Sequence, residues 1–96
     1  MYALGMAVEV KIPTVMRASA DGQASVDGNG LTVREIFSDL VNRYPDLKAN
    51  LLDQEGNLHK FVNVYRDDDD IRYLEGLDTS VPEGAVVSIL PAVAGG

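Results

Sequence analysis

The end of the chain holds the residues best suited to chemistry. From Gly84 to Gly96 the sequence GAVVSILPAVAGG carries no charged side chain, although the chain as a whole is acidic. Gly95 and Gly96 lack Cβ atoms, so an enzyme could approach a carboxylate on Gly96 closely. A terminal Gly-Gly suits a carboxylate that is meant to react, although composition alone favours the other interpretation. A frayed and inert chain end is the alternative interpretation.

Pro91 sets the predicted boundary of this tail. Proline has no N–H group to donate within a sheet, so strand pairing is expected to stop after Leu90. The chain is therefore divided into a folded domain over residues 6–90 and a flexible tail over residues 91–96. The tail residues expected to enter an enzyme's pocket ahead of Gly96 are Pro91, Ala92, Val93, Ala94 and Gly95.

The run of aspartates from Asp67 to Asp70 is the other conspicuous group of potential ligands. An EF-hand loop that began at Asp67 would need an oxygen ligand and then a glycine where this chain has Ile71 and Arg72. The run is interpreted as the solvated tip of a hairpin, because charge runs usually keep a surface hydrated. No metal site is predicted.

Cysteine and histidine chemistry is largely excluded. The chain has no cysteine, which rules out disulfides, cysteine ligation of metals and thiol catalysis. His59 is the single histidine, and no nucleophile motif flanks it, so a surface or capping role is predicted. The lack of cysteine is compatible with the reducing cytoplasm, which is the predicted location.

Composition limits the class of protein and of partner. Ninety-six residues with 46% hydrophobic content fit one globular domain. A net charge of -7 repels nucleic-acid phosphates and anionic lipids, so no nucleic acid and no membrane is expected as a partner, and basic partners are favoured. No apolar run approaches the ~20 residues of a membrane helix.

The elements before the tail must position it. Alternating apolar residues predict a strand from Met6 to Ile12 with Val8 facing inward, whereas residues 1–5 are interpreted as a disordered extension. A turn at Asp21-Gly22 leads into a short return strand predicted over residues 23–26.

A helix is predicted from Thr32, because Glu35 follows at the spacing of a capping box. Pro45 forbids its continuation. Its apolar stripe at helical spacing comprises Val33, Ile36, Phe37, Leu40, Val41 and Tyr44. Leucines at positions 47, 51 and 52 predict a further short helical turn.

Three strands are predicted in the second half, over residues 61–66, 71–73 and 85–90. Val62 and Val64 form the expected core face of the first of these strands. Two strands, a helix and then further strands indicate an α+β fold, a mixed sheet with one main helix packed on one face.

A set of apolar side chains faces the other way. Phe61 and Tyr65 alternate with the core valines, and Leu90 fits the same outward phase. Near the tail these residues could form a docking patch for a partner, or they could be ordinary exposed apolar residues, and the pattern leaves both open.

These features together resemble a known family. The segments VKIPT, LHKFVNVYRDDDDIR and PEGAVVSILPAVAGG are similar to those of ubiquitin-like β-grasp sulfur carriers of the ThiS/MoaD family, and the cysteine-biosynthesis carriers of the CysO type are the nearest group. The resemblance covers nearly the whole chain from Met6. One departure is Asp67-Asp68 at the hairpin tip, where members often carry Asn-Asp or Asn-Glu.

The resemblance implies a carrier rather than an enzyme. An E1-like enzyme would use ATP to adenylate Gly96, which then becomes a thiocarboxylate that donates sulfur; the carrier itself would bind no cofactor. For the CysO type, a pyridoxal-phosphate synthase accepts the sulfur and a zinc protease releases the product. The alternatives are a ubiquitin-like modifier conjugated through Gly96 and a passive binding module with an inert tail. The final sulfur-containing product depends on acceptors that this chain does not encode.

Overall fold

The computed structural model describes residues 7–91, which form a mixed sheet with one long helix across a face. The strands are β1 Ala7–Lys11, β2 Ser25–Asn29, β3 Val62–Arg66, β4 Asp69–Asp70 and β5 Val86–Pro91, and the α-helices are α1 Val33–Arg43 and α2 Leu47–Leu51. Short 3-10 helices occupy Thr14–Ala20, Ile71–Tyr73 and Gly76–Asp78. The strand order is β2-β1-β5-β3-β4, with β1 and β5 parallel and the other neighbours antiparallel. The predicted α+β class is confirmed.

Alternation along the strands decides which side of the sheet meets the core. Val8 and Val10 of β1 are buried, whereas Glu9 and Lys11 are exposed. The other strands follow the same rule, and α1 covers the face that they bury. The largest fully buried side chains are Phe37, Ile12, Ile36, Leu40, Leu47, Leu51, Ile71, Ile89, Val10, Val33, Val64 and Val87.

Helix α1 begins at the predicted capping box. Thr32 Oγ1 accepts a hydrogen bond from the Glu35 N–H at 3.2 Å. Glu35 Oε1 in turn accepts from the Leu31 N–H at 2.7 Å, one residue before the usual recipient of this bond. The helix ends at Arg43, with Tyr44 as its C-cap immediately before Pro45.

Close contact between α1 and β2 depends on small residues and on side chains of the helix. A Cβ added to Gly28 would lie 2.7 Å from Ile36 Cγ2, so a glycine is needed where the helix crosses the strand. At the outer edge of β2, Asp39 Oδ2 accepts from the Asn29 N–H at 3.0 Å, and the Arg43 guanidinium donates to the Asp27 carbonyl. The helix therefore occupies two backbone groups of this edge, the Asn29 N–H and the Asp27 carbonyl.

The predicted return strand over residues 23–26 is wrong in its bounds. The 3-10 helix Thr14–Ala20 precedes this segment and adds Met16 and Ala20 to the core, and the strand that follows is Ser25–Asn29. The predicted turn follows the 3-10 helix, with Asp21 and Gly22 both at positive φ. Strand pairing with β1 then begins only at Ser25.

The predicted strand over residues 71–73 is also wrong. Asp67 has a φ of 55°, which closes the hairpin so tightly that the return strand is Asp69–Asp70. The Asp70 Oδ1 atom then accepts from the Arg72 N–H at 2.9 Å and caps a 3-10 helix. Ile71 lies in the core from this helix rather than from a strand.

None of the helices within residues 7–91 has the length and the apolar composition that crossing a membrane requires.

Substitution of Leu40 by alanine tests the core assignment. Leu40 is fully buried, so Leu40→Ala should lower the free energy of unfolding by about 2 to 5 kcal/mol through lost apolar burial and a residual cavity. Val15 is 74% exposed, and Val15→Ala should change it by less than about 0.5 kcal/mol. Urea unfolding measures both, and a Leu40→Ala loss as small as the control's would contradict the packing described.

Candidate functional site

Strand β5 brings the chain to the candidate site. It lies in the interior of the sheet, with β1 on one side and β3 on the other. Pro91 is the last residue of β5 and lies opposite Val62, so the prediction that pairing stops after Leu90 is wrong by one residue. Proline fits this final position because it lacks only the N–H donor, and its carbonyl remains an acceptor. The predicted tail residues Ala92, Val93, Ala94, Gly95 and Gly96 lie outside the described residues.

The outward residues predicted to dock a partner fall into two groups. Leu90 is 46% exposed and pairs with Asn63, and Phe61, which immediately precedes β3, is 50% exposed. Phe61 therefore lies one residue before the pair of Val62 and Pro91, and Leu90 one residue before Pro91, both at the end of the sheet where β5 finishes. Tyr65 is half-buried and lies opposite Ser88, one outward pair further from that end.

His59 and Lys60 fix the surroundings of Phe61. The Phe61 N–H donates to His59 Nδ1 at 3.2 Å, and the two ring centroids are 5.6 Å apart. Lys60 Nζ lies 5.4 Å from the centre of the Phe61 ring, within the range of a cation–π contact. His59 thus accepts a backbone hydrogen bond beside the exposed ring, which is the capping role predicted for it.

Arg72 holds the beginning of β3, a role that was not predicted from the sequence. Its guanidinium donates to Asn63 Oδ1 and to the Val62 carbonyl, each at 2.7 Å, and reaches the Lys60 carbonyl at 3.5 Å. Strand β4 pairs only with Tyr65 and Arg66, so Arg72 supplies donors to the part of β3 that β4 leaves uncovered. Residue spacing carries no signal for such a contact, since it joins a side chain of a 3-10 helix to the edge of a strand.

The aspartate run holds the opposite end of β5. Asp67 Oδ1 accepts from the Val86 N–H at 3.0 Å, and the Asp67 N–H donates to the Val86 carbonyl at 2.7 Å. Asp67 therefore has a structural contact in addition to the solvating role predicted for the run. Across residues 7–91, no three or more histidine, aspartate or glutamate side chains are grouped to hold a metal ion.

Comparison with known proteins places this arrangement in a family. Residues 10–96 match the model of the ThiS family. The chain belongs to that family. The sulfur carrier protein CysO of Mycobacterium tuberculosis is 45% identical over 93 residues, which cover 95% of this chain and 100% of the relative.

Solved structures agree with this assignment. A chain in the crystal structure of the Amycolatopsis orientalis BexX/CysO complex is 46% identical, with a TM-score of 0.86 and coverage of 93% of this chain and 99% of that chain. Small archaeal modifier protein 1 of Methanosarcina acetivorans is 29% identical, with a TM-score of 0.82 and coverage of 98% and 100%. The predicted ubiquitin-like β-grasp fold and the CysO-type resemblance are confirmed. The protein is a CysO-like sulfur carrier, and such proteins are carriers rather than enzymes.

The Arg72 contacts predict a measurable loss on substitution. Arg72→Ala leaves the Val62 carbonyl and Asn63 Oδ1 without this donor, so it should lower the free energy of unfolding by about 1 to 2 kcal/mol and speed amide exchange in β3. Arg34 forms an exposed ion pair with Asp78, so Arg34→Ala is the matched control and should cost less than about 1 kcal/mol. Equal losses and unchanged exchange would argue against the role given to Arg72.

Proposed function

We propose that this carrier donates sulfur as a thiocarboxylate on Gly96, formed after an E1-like enzyme adenylates the Gly96 carboxylate. The main support is the position of β5, which is paired on both sides and ends at Pro91 beside the exposed Phe61 and Leu90. A partner that binds this end of the sheet would receive residues 92–96 at a fixed starting point. The CysO relatives, named as sulfur carriers, support the same chemistry.

The proposed reaction has two steps. A carboxylate oxygen of Gly96 attacks the α-phosphate of ATP and releases pyrophosphate, which leaves an acyl adenylate. A sulfur nucleophile at the oxidation level of sulfide then attacks the carbonyl carbon and expels AMP, so no oxidant or reductant is consumed. The carrier binds no cofactor in this scheme, because ATP occupies the enzyme's site. The five residues after Pro91 can span at most about 18 Å, which suits a deep and narrow slot.

The proposed partners are proteins that recognise the fold and the tail together. They comprise the E1-like activating enzyme, a sulfur-accepting synthase of the pyridoxal-phosphate class and a zinc protease that releases the product. The BexX/CysO complex supports binding of this type of carrier to another protein, and we extend that binding to this chain. The cytoplasm is the proposed compartment.

Protein modification is a second candidate function. The similarity to small archaeal modifier protein 1 favours it, since that protein has the same fold and is named as a modifier. The same acyl adenylate would then react with a lysine amine to give an isopeptide instead of a thiocarboxylate. The two functions differ only in the nucleophile that displaces AMP.

Intact mass distinguishes these functions after incubation with ATP, a sulfide donor and the E1-like enzyme. Thiocarboxylation should add about 16 Da, and modification should give a ladder of conjugates, whereas an inert tail gives neither. Oxidation of a methionine adds the same nominal mass. The tryptic fragment over residues 73–96 contains no methionine, so a shift on that fragment assigns the change to the tail.

Deletion of Gly95 and Gly96 tests whether the Gly96 carboxylate is the group that becomes thiocarboxylated. The carboxylate would be withdrawn by about 7 Å, and misplacement on this scale should reduce the rate of thiocarboxylation at least on the order of a hundredfold. The melting temperature should stay the same because the deletion leaves β5 complete. A chain extended beyond Gly96 is the second control and should be inactive. Normal thiocarboxylation of the truncated protein would refute the assignment of Gly96.

The exposed apolar pair predicts a docking defect without loss of the fold. Phe61→Ala together with Leu90→Ala should raise the KM for the carrier in the activation reaction, whereas Tyr65→Ala should have a smaller effect because Tyr65 is half-buried. Leu31 is 56% exposed near the opposite end of the sheet, and Leu31→Ala serves as the control. An unchanged KM in the double variant would contradict docking through this pair.

A further inference from the structure

Charge is unevenly distributed over the outer face of the sheet, the face turned away from α1. Where β5 ends, Lys11 projects from β1 opposite Ser88, one outward position short of Leu90. One outward pair further back, Glu9 lies opposite Asp27. These two carboxylates face each other across paired strands, an arrangement that like charges normally disfavour. The sign of the charge therefore reverses along β1 within two residues.

The other side of Leu90 is also basic. Lys60 lies against the exposed Phe61 ring, and the Arg72 guanidinium is bonded to Asn63, the residue opposite Leu90. We call Lys11, Lys60, Phe61, Arg72 and Leu90 together the basic end. Its apolar pair has a positive charge on both sides.

Within residues 7–91, Lys11, Lys60 and Arg72 form no ion pair with an acidic side chain. The ion pairs there are Arg34 with Asp78, Arg43 with Asp39 and Arg66 with Asp69. On the outer face, Glu9 lies two residues before Lys11 on β1, and Asp70 lies opposite Tyr65, with its Oδ1 accepting the Arg72 N–H. Lys11 and Lys60 are exposed, so their charges are available to a partner.

We propose that the basic end docks on a protein surface whose apolar pocket is rimmed by carboxylates, although the carrier has a net charge of -7. This rests on the proposed function, and it names the chemistry of the surface that receives the tail. At physiological ionic strength charges beyond about 8 Å are largely screened, so charges at the contact decide the fit rather than the net charge. An acidic rim attracts the basic end and repels the rest of the molecule. Such a rim therefore orients the carrier with its tail toward the partner.

Single charge reversals with equal net charge test the proposal. Lys60→Glu, Lys11→Glu and Lys48→Glu each change the net charge from -7 to -9, because one positive charge is replaced by one negative charge. Lys48 is exposed on α2, away from the outer face. The probe is purified Amycolatopsis orientalis BexX protein, with affinity measured by calorimetry at low and high salt. Thermal unfolding of each variant confirms that the fold is retained.

The two outer-face reversals should each weaken binding by about fivefold and reduce its dependence on salt. Lys48→Glu should change the affinity by less than twofold, and Lys60→Gln should fall between the parent and Lys60→Glu. Equal effects of all three reversals would show that net charge governs binding and would overturn the proposal. Tighter binding of Lys60→Glu, or no binding of the parent chain, would overturn it too. The mass-shift test of the proposed function uses no BexX, so the two failures can be distinguished.

Discussion

Pairing of β5 on both of its edges is the constraint on which the rest of the molecule depends. In the strand order, β5 is the link between the β1 and β2 pair and the β3 and β4 pair. Its parallel pairing with β1 and its antiparallel pairing with β3 fix the register of β5 on both of its edges. The same bonds that close the sheet therefore determine where the chain leaves it. The function proposed for the tail needs this single exit point, because a tail can be delivered accurately only from a fixed base.

Different polar contacts hold the chain at the two ends of β5. At the start of β5, the backbone and carboxylate of Asp67 form a reciprocal pair of hydrogen bonds with Val86. At its finish, Arg72 and His59 hold the beginning of β3 in place, which sets the position of Phe61 at this end of the sheet. Neither end is held by apolar packing alone. Polar contacts of this kind fix geometry at a surface where burial is too small to do so.

The sequence allowed the regular elements to be predicted because their determinants are local. The period of α1, its Thr32 cap and the alternation in β1 and β3 all lie within a few neighbouring residues. The segments over residues 14–20 and 71–73 were missed because their burial depends on the finished core, in which Met16 and Ile71 are placed from 3-10 turns. The outward phase of Phe61 and Leu90 was predictable, whereas the Arg72 contacts were not. They arise only after β4 has turned back beside β3, and no spacing along the chain encodes that.

The side chains at the two outer edges of the sheet also limit which molecules can join it. An open strand edge is a template for another extended chain, through which proteins aggregate or bind peptides. Here Asp39 and Arg43 occupy the Asn29 N–H and the Asp27 carbonyl of β2, and Arg72 occupies the Val62 carbonyl where the short β4 leaves β3 uncovered. A peptide that added a strand at either place would first have to displace charge-assisted hydrogen bonds. Recognition by strand addition is thereby disfavoured at these two places, and so is the joining of two copies of the sheet there.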